Sequence, residues 1–353
     1  MAGAFAALLL GSAFASGQEA LQFYASHGFL GIAGIGVSLL LFTYVAYSLF
    51  NAGREKHLTT TEDIFLYYCG RYAGTLLAWY AIVFITLIYW IMLVGAGAAL
   101  QQGFGVPEWA GRILMALASL ATILLGLRRI VEVIGLVGPL LIVVTLGISV
   151  ASLLASSTNL VANAEGIAQF ELLKAAPSWF TSSILYVGLS LMGLASFLPA
   201  VGQQMTSNRQ VLSASILGPV LLMAAMLFVT LALINQISQM VGAAMPTMVL
   251  AEALSPGLSQ VFAAVIVLGI YTTACPLMWV VCARFSSEKD APYKSKVYQG
   301  VAVSLALIGV LGGGVLPFAK MVNLIYPTVG YAGFAMLIFM LFTDLRKTLS
   351  KSS

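Results

Sequence analysis

The sequence predicts an all-α integral membrane protein with about ten transmembrane helices. Hydrophobic residues make up 61% of the 353 residues and charged residues only 8%, whereas a soluble domain carries roughly 25% charged residues. So few charges cannot cover the surface of a soluble protein of this size, and a lipid bilayer must therefore supply most of the solvent. Apolar runs close to the 20 residues needed to cross a bilayer recur along the whole chain.

Composition also excludes several functional classes. The net charge of +4 is small and scattered, so nucleic acid is not an expected partner. Two histidines and three cysteines do not form a disulfide framework or a standard zinc site. The sequence has no H-E-x-x-H, G-x-S-x-G or P-loop motif, so we do not expect an enzyme, and we expect no organic cofactor.

Ten runs are the predicted membrane segments, within one integral domain of residues 1–353. The eight clearest runs are 28–50, 75–100, 109–126, 130–154, 211–234, 258–285, 297–315 and 316–342. Two further runs, 2–27 and 179–204, are interrupted by polar or small residues. Two connections are also expected to form short helices. Residues 59–62 resemble a capping box that opens an amphipathic helix, and 246–256 encloses a re-entrant or surface helix. Either connection is a lid or a packed loop.

The distribution of Lys and Arg predicts the orientation. With the N-terminus in the cytoplasm, almost all of the 16 basic residues lie in cytoplasmic segments; only Arg112, Lys174 and Lys320 fall elsewhere. We therefore expect an even number of helices in the cell membrane, with both termini cytoplasmic.

Two of the runs are interrupted at corresponding positions in the two halves of the chain. The first contains Gly-Ser-Ala-Phe-Ala-Ser-Gly-Gln-Glu at 11–19; the second contains glycines at 188 and 193 and a proline at 199. Paired interruptions are typical of transporters built from inverted repeats, with broken helices that line a midplane site. We therefore predict two inverted repeats, 1–156 and 177–348, with a binding site at the midplane.

Two other interpretations of the interruptions remain open. Residues 13–15 resemble a signal-peptide cleavage site, although no basic residue precedes the apolar stretch. The glycines could instead be small-residue packing faces between helices. Packing would explain the glycines but not Gln18 and Glu19, which are costly inside a bilayer.

The segment 11–24 resembles the opening signature of the YkvI-type membrane transporter family, a branch of the amino acid-polyamine-organocation superfamily. The resemblance implies a secondary transporter with a LeuT-like fold, a 5+5 inverted repeat in which helices 1 and 6 are broken. It also implies one sodium site, formed by carbonyl oxygens of Gly11 and Phe14 and by Gly269, Thr272 and Thr273, whose i, i+3, i+4 spacing places them on one helical face. The alternative is that the two threonines bond to their own helix.

A solute site is expected at the same breaks. Unpaired N–H groups near Ser16 and Gly17 attract a carboxylate, while carbonyl groups near Ser12 and Gly188 suit an ammonium group. The predicted substrate-binding residues are Ser12, Ser16, Gly17, Gln18, Tyr89, Gly188 and Ser190. Tyr89 is equally compatible with ordinary packing.

Glu19 is the most informative single residue. It either caps the following half-helix or, once desolvated, carries a proton. Lys320 is its candidate gating partner. The sequence therefore predicts sodium-coupled symport of an amino-acid-like zwitterion; the alternatives are proton coupling through Glu19 and a non-transporting sensor of the same fold. The oligomeric state is left open.

Overall fold

A computed structural model describes residues 12–58, 60–125, 130–156, 158–286 and 292–352, and within these ranges the chain is helical, without strands. Thirteen helices are labelled here in chain order. They are α1 Ser12–Ala15, α2 Gln18–Phe23, α3 Phe29–Lys56, α4 Thr61–Phe104, α5 Glu108–Leu125, α6 Ile130–Ala155, α7 Leu160–Glu165, α8 Trp179–Gln203, α9 Asn208–Asn235, α10 Pro246–Leu254, α11 Pro256–Arg284, α12 Lys296–Gly312 and α13 Phe318–Ser352.

Eight of the described helices are long and apolar enough to cross a membrane: α3, α4, α5, α6, α8, α9, α11 and α13. The ninth apolar helix, α12, has 17 residues and is slightly shorter. Nine of the ten predicted runs are thus confirmed as helices, as expected because a bilayer requires backbone groups to be hydrogen-bonded within each segment. The first run, 2–27, is described only from Ser12 and contains two short helices there.

The helices form two groups that two further helices connect. In one group α3 packs against α8 and α9, and α2 packs against α8 and α9. In the other group α4, α5, α11 and α12 pack against one another. Helix α6 contacts both α9 and α11, while α13 contacts both α8 and α4. Helix α1 packs against α6 and α11, so α1 and α2 face different neighbours.

Helix α4 contains the amphipathic helix that the sequence predicts. Its N-cap is Thr60, whose hydroxyl accepts a hydrogen bond from the Asp63 amide at 3.1 Å; Thr59, the predicted cap, lies outside the described residues. At Gly70 the backbone adopts φ 73° and ψ 179°, which turns the short helix away from the long one. A residue with a side chain is strained at this φ, so the glycine explains where the two parts meet.

Helix α8 contradicts the prediction of a broken sixth helix. It is continuous from Trp179 to Gln203, through both glycines and the proline of the predicted interruption. Close packing against α13 explains Gly188 instead, whereas a Cβ atom on Gly193 would meet nothing within 4 Å. A Cβ atom on Gly188 would lie 2.2 Å from the Gly330 carbonyl oxygen, and one on Gly333 would lie 1.9 Å from the Gly188 carbonyl oxygen. The glycines therefore let α8 and α13 approach closely.

Charged side chains mark one end of the bundle, which we call the basic end. There Arg284 lies 3.6 Å from Glu62, and the Lys347 ammonium lies 4.1 Å above the Tyr67 ring and 3.0 Å from Asp344. The ends of α4, α11 and α13 meet at these contacts. The connections between α2 and α3, between α4 and α5, and between α12 and α13 lie at the opposite end.

Candidate functional site

The first membrane segment is interrupted, as predicted, between α1 and α2. Gly17 has φ 80° and donates its N–H to the Phe14 carbonyl oxygen at 3.0 Å, so the chain makes a tight turn instead of continuing the helix. A Cβ atom at this glycine would lie 2.8 Å from Thr247 Cγ2. Both the backbone conformation and the available space therefore require glycine here.

Helix α10 occupies the interruption. The Thr247 amide donates to the Ser16 carbonyl oxygen at 3.3 Å, and the Thr247 hydroxyl donates to the Ala15 carbonyl oxygen. Pro246, Thr247, Met248, Leu250 and Ala251 are buried. The predicted re-entrant or surface helix is thus a buried helix that satisfies the carbonyl groups freed by the turn.

The predicted anion-binding groups at this turn already have partners within the chain. The Ser16 hydroxyl accepts from the Gln18 amide at 3.2 Å, and the Gly17 amide is bonded to Phe14 as described. Ser16 is only 2% exposed. These groups stabilise the turn in this structure, and a bound carboxylate would have to replace the bonds that they make.

Glu19 lies on α2, directly after the interruption. Its side chain is buried, and its Oε2 atom accepts a hydrogen bond from the Tyr186 hydroxyl of α8 at 3.2 Å. Tyr24 packs edge-to-face against Tyr186, with the ring centroids 5.4 Å apart. Within the described ranges the ion pairs are Arg54–Glu55, Arg284–Glu62 and Lys347–Asp344, so no cation neutralises Glu19 there.

Lys320 does not pair with Glu19 as predicted. Its side chain is exposed near the start of α13, whereas Glu19 is buried among tyrosines. Pairing would require moving either an exposed ammonium group into the bundle or the carboxylate out of it.

Ser190 is a predicted substrate contact on α8, the helix whose Tyr186 hydroxyl donates to Glu19. It follows Tyr186 by one helical turn on the continuous helix α8, so both side chains lie on the same face. Ser190 is 7% exposed, and its hydroxyl has no hydrogen-bond partner within the described part of the chain. A nearly buried hydroxyl without a partner is available to a ligand.

Gln18 and Gln22 do not face the interruption but form a polar cluster with Asn323. The Gln18 amide nitrogen donates to the carbonyl oxygens of Ala243 at 2.7 Å and Ala244 at 3.1 Å. The Gln22 amide nitrogen donates to Gln18 at 2.7 Å and to the Ala319 carbonyl oxygen at 2.9 Å. Asn323 then donates to Gln22 at 3.0 Å. We call Gln18, Gln22 and Asn323 the amide cluster; it ties α2 to the segment before α10 and to α13.

Two other predicted substrate contacts lie elsewhere. Gly188 packs against α13, and its carbonyl group is within a continuous helix, so it is not available as the predicted ammonium ligand. Tyr89 is fully buried in α4, and its hydroxyl is 3.1 Å from the Ser119 hydroxyl of α5. The packing interpretation of Tyr89 fits this contact.

The predicted sodium ligands lie on two helices that contact each other, α1 and α11. Phe14 is on α1, next to Ser12 at its start; Gly11 lies outside the described residues. On α11 the hydroxyls of Thr272 and Thr273 each donate to the Gly269 carbonyl oxygen at 2.9 Å. This is the geometry of the self-bonding alternative, in which each threonine hydroxyl bonds to its own helix.

Sequence reasoning did not identify Tyr186, Thr247 or Asn323 as part of this region. Tyr186 could have been found, because it precedes Ser190 by four residues on a helix and aromatic hydroxyls need partners when buried. Thr247 follows the proline that starts α10. Nothing in the sequence pairs Asn323 with Gln22.

No His, Cys, Asp or Glu group of three or more that could hold a metal ion occurs in the described part of the chain.

Comparison with known proteins gives relatives of low identity that match over almost the whole chain. An uncharacterized membrane protein of Bacillus subtilis, YkvI, is 20% identical over 332 residues, covering 93% of this chain and 90% of the relative. A second Bacillus subtilis protein, the uncharacterized YyaD, is 20% identical over 334 residues, covering 94% and 93%. No family model matches the sequence.

Among solved structures, two point mutants of a manganese transporter from Eremococcus coleocola are similar. One has a TM-score of 0.60 at 15% identity, covering 97% of this chain and 77% of the transporter. The other has a TM-score of 0.57 at 15% identity, covering 96% and 76%. Together with the eight apolar helices, this similarity shows that the chain has the all-helical fold of an integral membrane transporter.

Proposed function

We propose that this protein is a secondary transporter that moves a small solute by alternating access around the interruption between α1 and α2. The observation that carries the proposal is the buried carboxylate of Glu19 beside that interruption, with Tyr186 and Ser190 on the facing helix. An ionisable residue inside a membrane protein is costly, and it is usually retained for a solute or ion.

The packing of the helices supports two structural repeats, 1–156 and 177–348. The contact between α4 and α5 has a counterpart between α11 and α12, and that between α1 and α6 has one between α8 and α13. The contact between α5 and α11 likewise corresponds to that between α4 and α12. When each repeat has an odd number of membrane segments, the two repeats have opposite orientations in the membrane. Such inverted repeats are typical of transporters that work by alternating access.

The solute that suits this site is an amino acid or a similar small zwitterion. The Glu19 carboxylate is a partner for an ammonium group, and the Ser190 hydroxyl can donate to a carboxylate or carbonyl oxygen. Manganese is the ion named for the structural neighbours; it belongs to that protein, and it enters here as a competing ligand in the test.

Sodium is the coupling ion that we propose, held between α1 and α11. Contact between these helices and the hydroxyls of Thr272 and Thr273 support this site. Proton coupling is the second candidate, because Glu19 is buried with a hydroxyl partner and without a cation. A carboxyl group in that setting can carry a proton through the cycle.

The orientation that we propose in the membrane follows from the distribution of basic residues between the two ends of the bundle. Arg284 and Lys347 lie at the basic end, whereas Arg112 and the 174–175 segment are at the opposite end. By the positive-inside rule the basic end faces the cytoplasm. The amide cluster then lies on the outer side of the interruption, and we propose that its hydrogen bonds must break for the protein to open toward the outside.

Thermal stability of the purified protein tests the proposal. Tm is measured with amino acids, small amines and manganese chloride, in sodium or potassium buffer, at two pH values. A ligand present at about 100 times its Kd adds roughly 2.7 kcal/mol to the stability of the folded state. An amino acid that stabilises only in sodium supports sodium coupling, and stabilisation that changes with pH but not with sodium supports Glu19. Stabilisation by manganese alone would contradict the proposed solute.

Matched variants assign the effect to residues. Thr273→Ala should abolish the sodium dependence, whereas Thr86→Ala should not, although Thr86 makes the same bond to the carbonyl four residues before it. Glu19→Gln should abolish the pH dependence, and the exposed Glu252 provides the control variant Glu252→Gln. Uptake of the labelled solute into vesicles then separates a transporter from a sensor, because a sensor binds without net flux.

A further inference from the structure

Arg112 is a buried cation that the proposed transport site does not use. It lies on the second turn of α5 and is only 9% exposed. Its Nε and Nη1 atoms are buried and have no hydrogen-bond partner among the described residues. A guanidinium group carries a positive charge, so these buried donors lack a compensating partner there.

Three glycines surround the Arg112 side chain. A Cβ atom on Gly97 of α4 would lie 3.1 Å from Arg112 Cγ, and one on Gly313 would lie 3.2 Å from Cδ. At Gly314 a Cβ atom would lie 3.2 Å from Nη1 and 3.5 Å from Nη2. Because these positions lack side chains, the aliphatic part of Arg112 packs tightly while the guanidinium lies directly beneath the exposed connection between α12 and α13.

The chain supplies no acid to this guanidinium in the described residues. Glu108 is on the same helix, four residues earlier, but is not within ion-pair distance, and the three ion pairs found there all involve other residues. Burying a charge without a partner costs several kcal/mol, so the compensating charge is expected to come from outside the chain.

The surroundings indicate where that charge comes from. Arg112 is four residues, about 6 Å, from the start of its membrane segment, which places it near a bilayer surface. Trp109 is 60% exposed, and Leu311 and Val315 are each 77% exposed. An exposed tryptophan beside exposed aliphatic residues is typical of the headgroup level of a membrane.

We propose that Arg112 binds a phosphate group where α4, α5 and the α12–α13 connection meet. A guanidinium matches a phosphate with paired hydrogen bonds, which makes arginine the preferred residue for this contact. The phosphate is supplied either by the headgroup of a membrane lipid or by a free phosphate ion, and the two sources are distinguished by experiment.

The test uses the full chain, purified and depleted of lipid, with Tm as the readout. Three additions are compared: phosphatidylglycerol, a galactolipid with the same acyl chains but no phosphate, and inorganic phosphate. The variant is Arg112→Met, which keeps the aliphatic packing, and the control is Arg209→Gln, an exposed arginine on α9. Arg112→Lys, which keeps the positive charge, is the second variant and is used if Arg112→Met does not fold.

A lipid site predicts that phosphatidylglycerol raises the Tm of the wild type and of Arg209→Gln, while the galactolipid does not. The apparent Kd for phosphatidylglycerol should be at least tenfold weaker in Arg112→Met or Arg112→Lys. A response to inorganic phosphate alone assigns the site to a free anion, and a response to both assigns it to the phosphate group from either source. No response in the wild type, or an equal response in the Arg112 variants, overturns the proposal, and the helix dipole of α12 would then compensate the charge.

Discussion

The contact between α8 and α13 allows a direct test of whether the Gly188 region is packed or unwound. In Gly188→Ala the new Cβ atom would lie 2.2 Å from the Gly330 carbonyl oxygen and 2.8 Å from the Phe334 amide nitrogen. Both are backbone atoms, so no side chain can turn away, and the two helices must separate by roughly 1 Å to restore contact distances.

The expected cost is that of overpacking a core, about 1–3 kcal/mol. For a chain of 353 residues that corresponds to a fall in Tm of roughly 1–4 °C. Gly193→Ala is the matched control, because Gly193 is on the same helix and a Cβ atom there would meet nothing within 4 Å. Its Tm should stay unchanged or rise slightly, since alanine favours the helix.

Thermal unfolding of the purified variants, followed by intrinsic fluorescence, measures the difference, and solute uptake is measured in parallel. A packed helix predicts that Gly188→Ala loses stability relative to Gly193→Ala. If the two variants have the same Tm while Gly188→Ala alone loses uptake, the segment is unwound and lines the site, and the packing argument is refuted.

Three further outcomes follow from the region around the interruption. Gly17→Ala should destabilise the protein by more than the ~1–2 kcal/mol expected for alanine at positive φ, because the new Cβ atom also clashes with Thr247. Gly105→Ala is the control, since Gly105 has φ 70° but nothing within 4 Å of a Cβ atom, so this variant measures the backbone strain alone. Equal losses of Tm in the two variants would contradict the clash with Thr247. Burial, with a smaller contribution from Lys174, lowers the pKa of His27 to about 4. Protonation of His27 therefore favours the unfolded state, and Tm should fall as the pH drops from about 6.5 to 4. His27→Gln should weaken this trend, and a Tm that does not depend on His27 over this range would show that its side chain is freely solvated. Tyr186→Phe and Glu19→Ala should be non-additive by about 1 kcal/mol in a double-mutant cycle, and additivity would show that their hydrogen bond contributes nothing.

The first interruption was predictable because polar residues conflict with their surroundings there. Gln18 and Glu19 follow two glycines and two serines inside an apolar run, and a bilayer does not tolerate such groups on a plain helix. The structure confirms the turn at Gly17. The amphipathic part of α4 was predictable for a similar reason, because a helix cap precedes its aromatic residues.

The continuous helix α8 could not be predicted from its own residues. Glycine indicates either unwinding or close approach of two helices, and the residues that decide between them, Gly330 and Gly333, are on α13. The partners of Gln18 are backbone carbonyl oxygens of Ala243 and Ala244. Every residue has a backbone carbonyl oxygen that can accept a hydrogen bond, so no pattern of side chains predicts the contact of Gln18 with these two residues.

The amide cluster has a consequence for the conditions under which this protein can work. Gln18, Gln22 and Asn323 are joined to carbonyl groups and to one another by neutral hydrogen bonds. Dissolved ions screen pairs of opposite charges but have little effect on such bonds. Amide groups also do not titrate over any pH at which the protein is folded. The amide cluster is therefore expected to be equally stable at low salt, at high salt and at acidic pH. Changes in salt or pH should act on the buried carboxylate of Glu19 and not on this cluster.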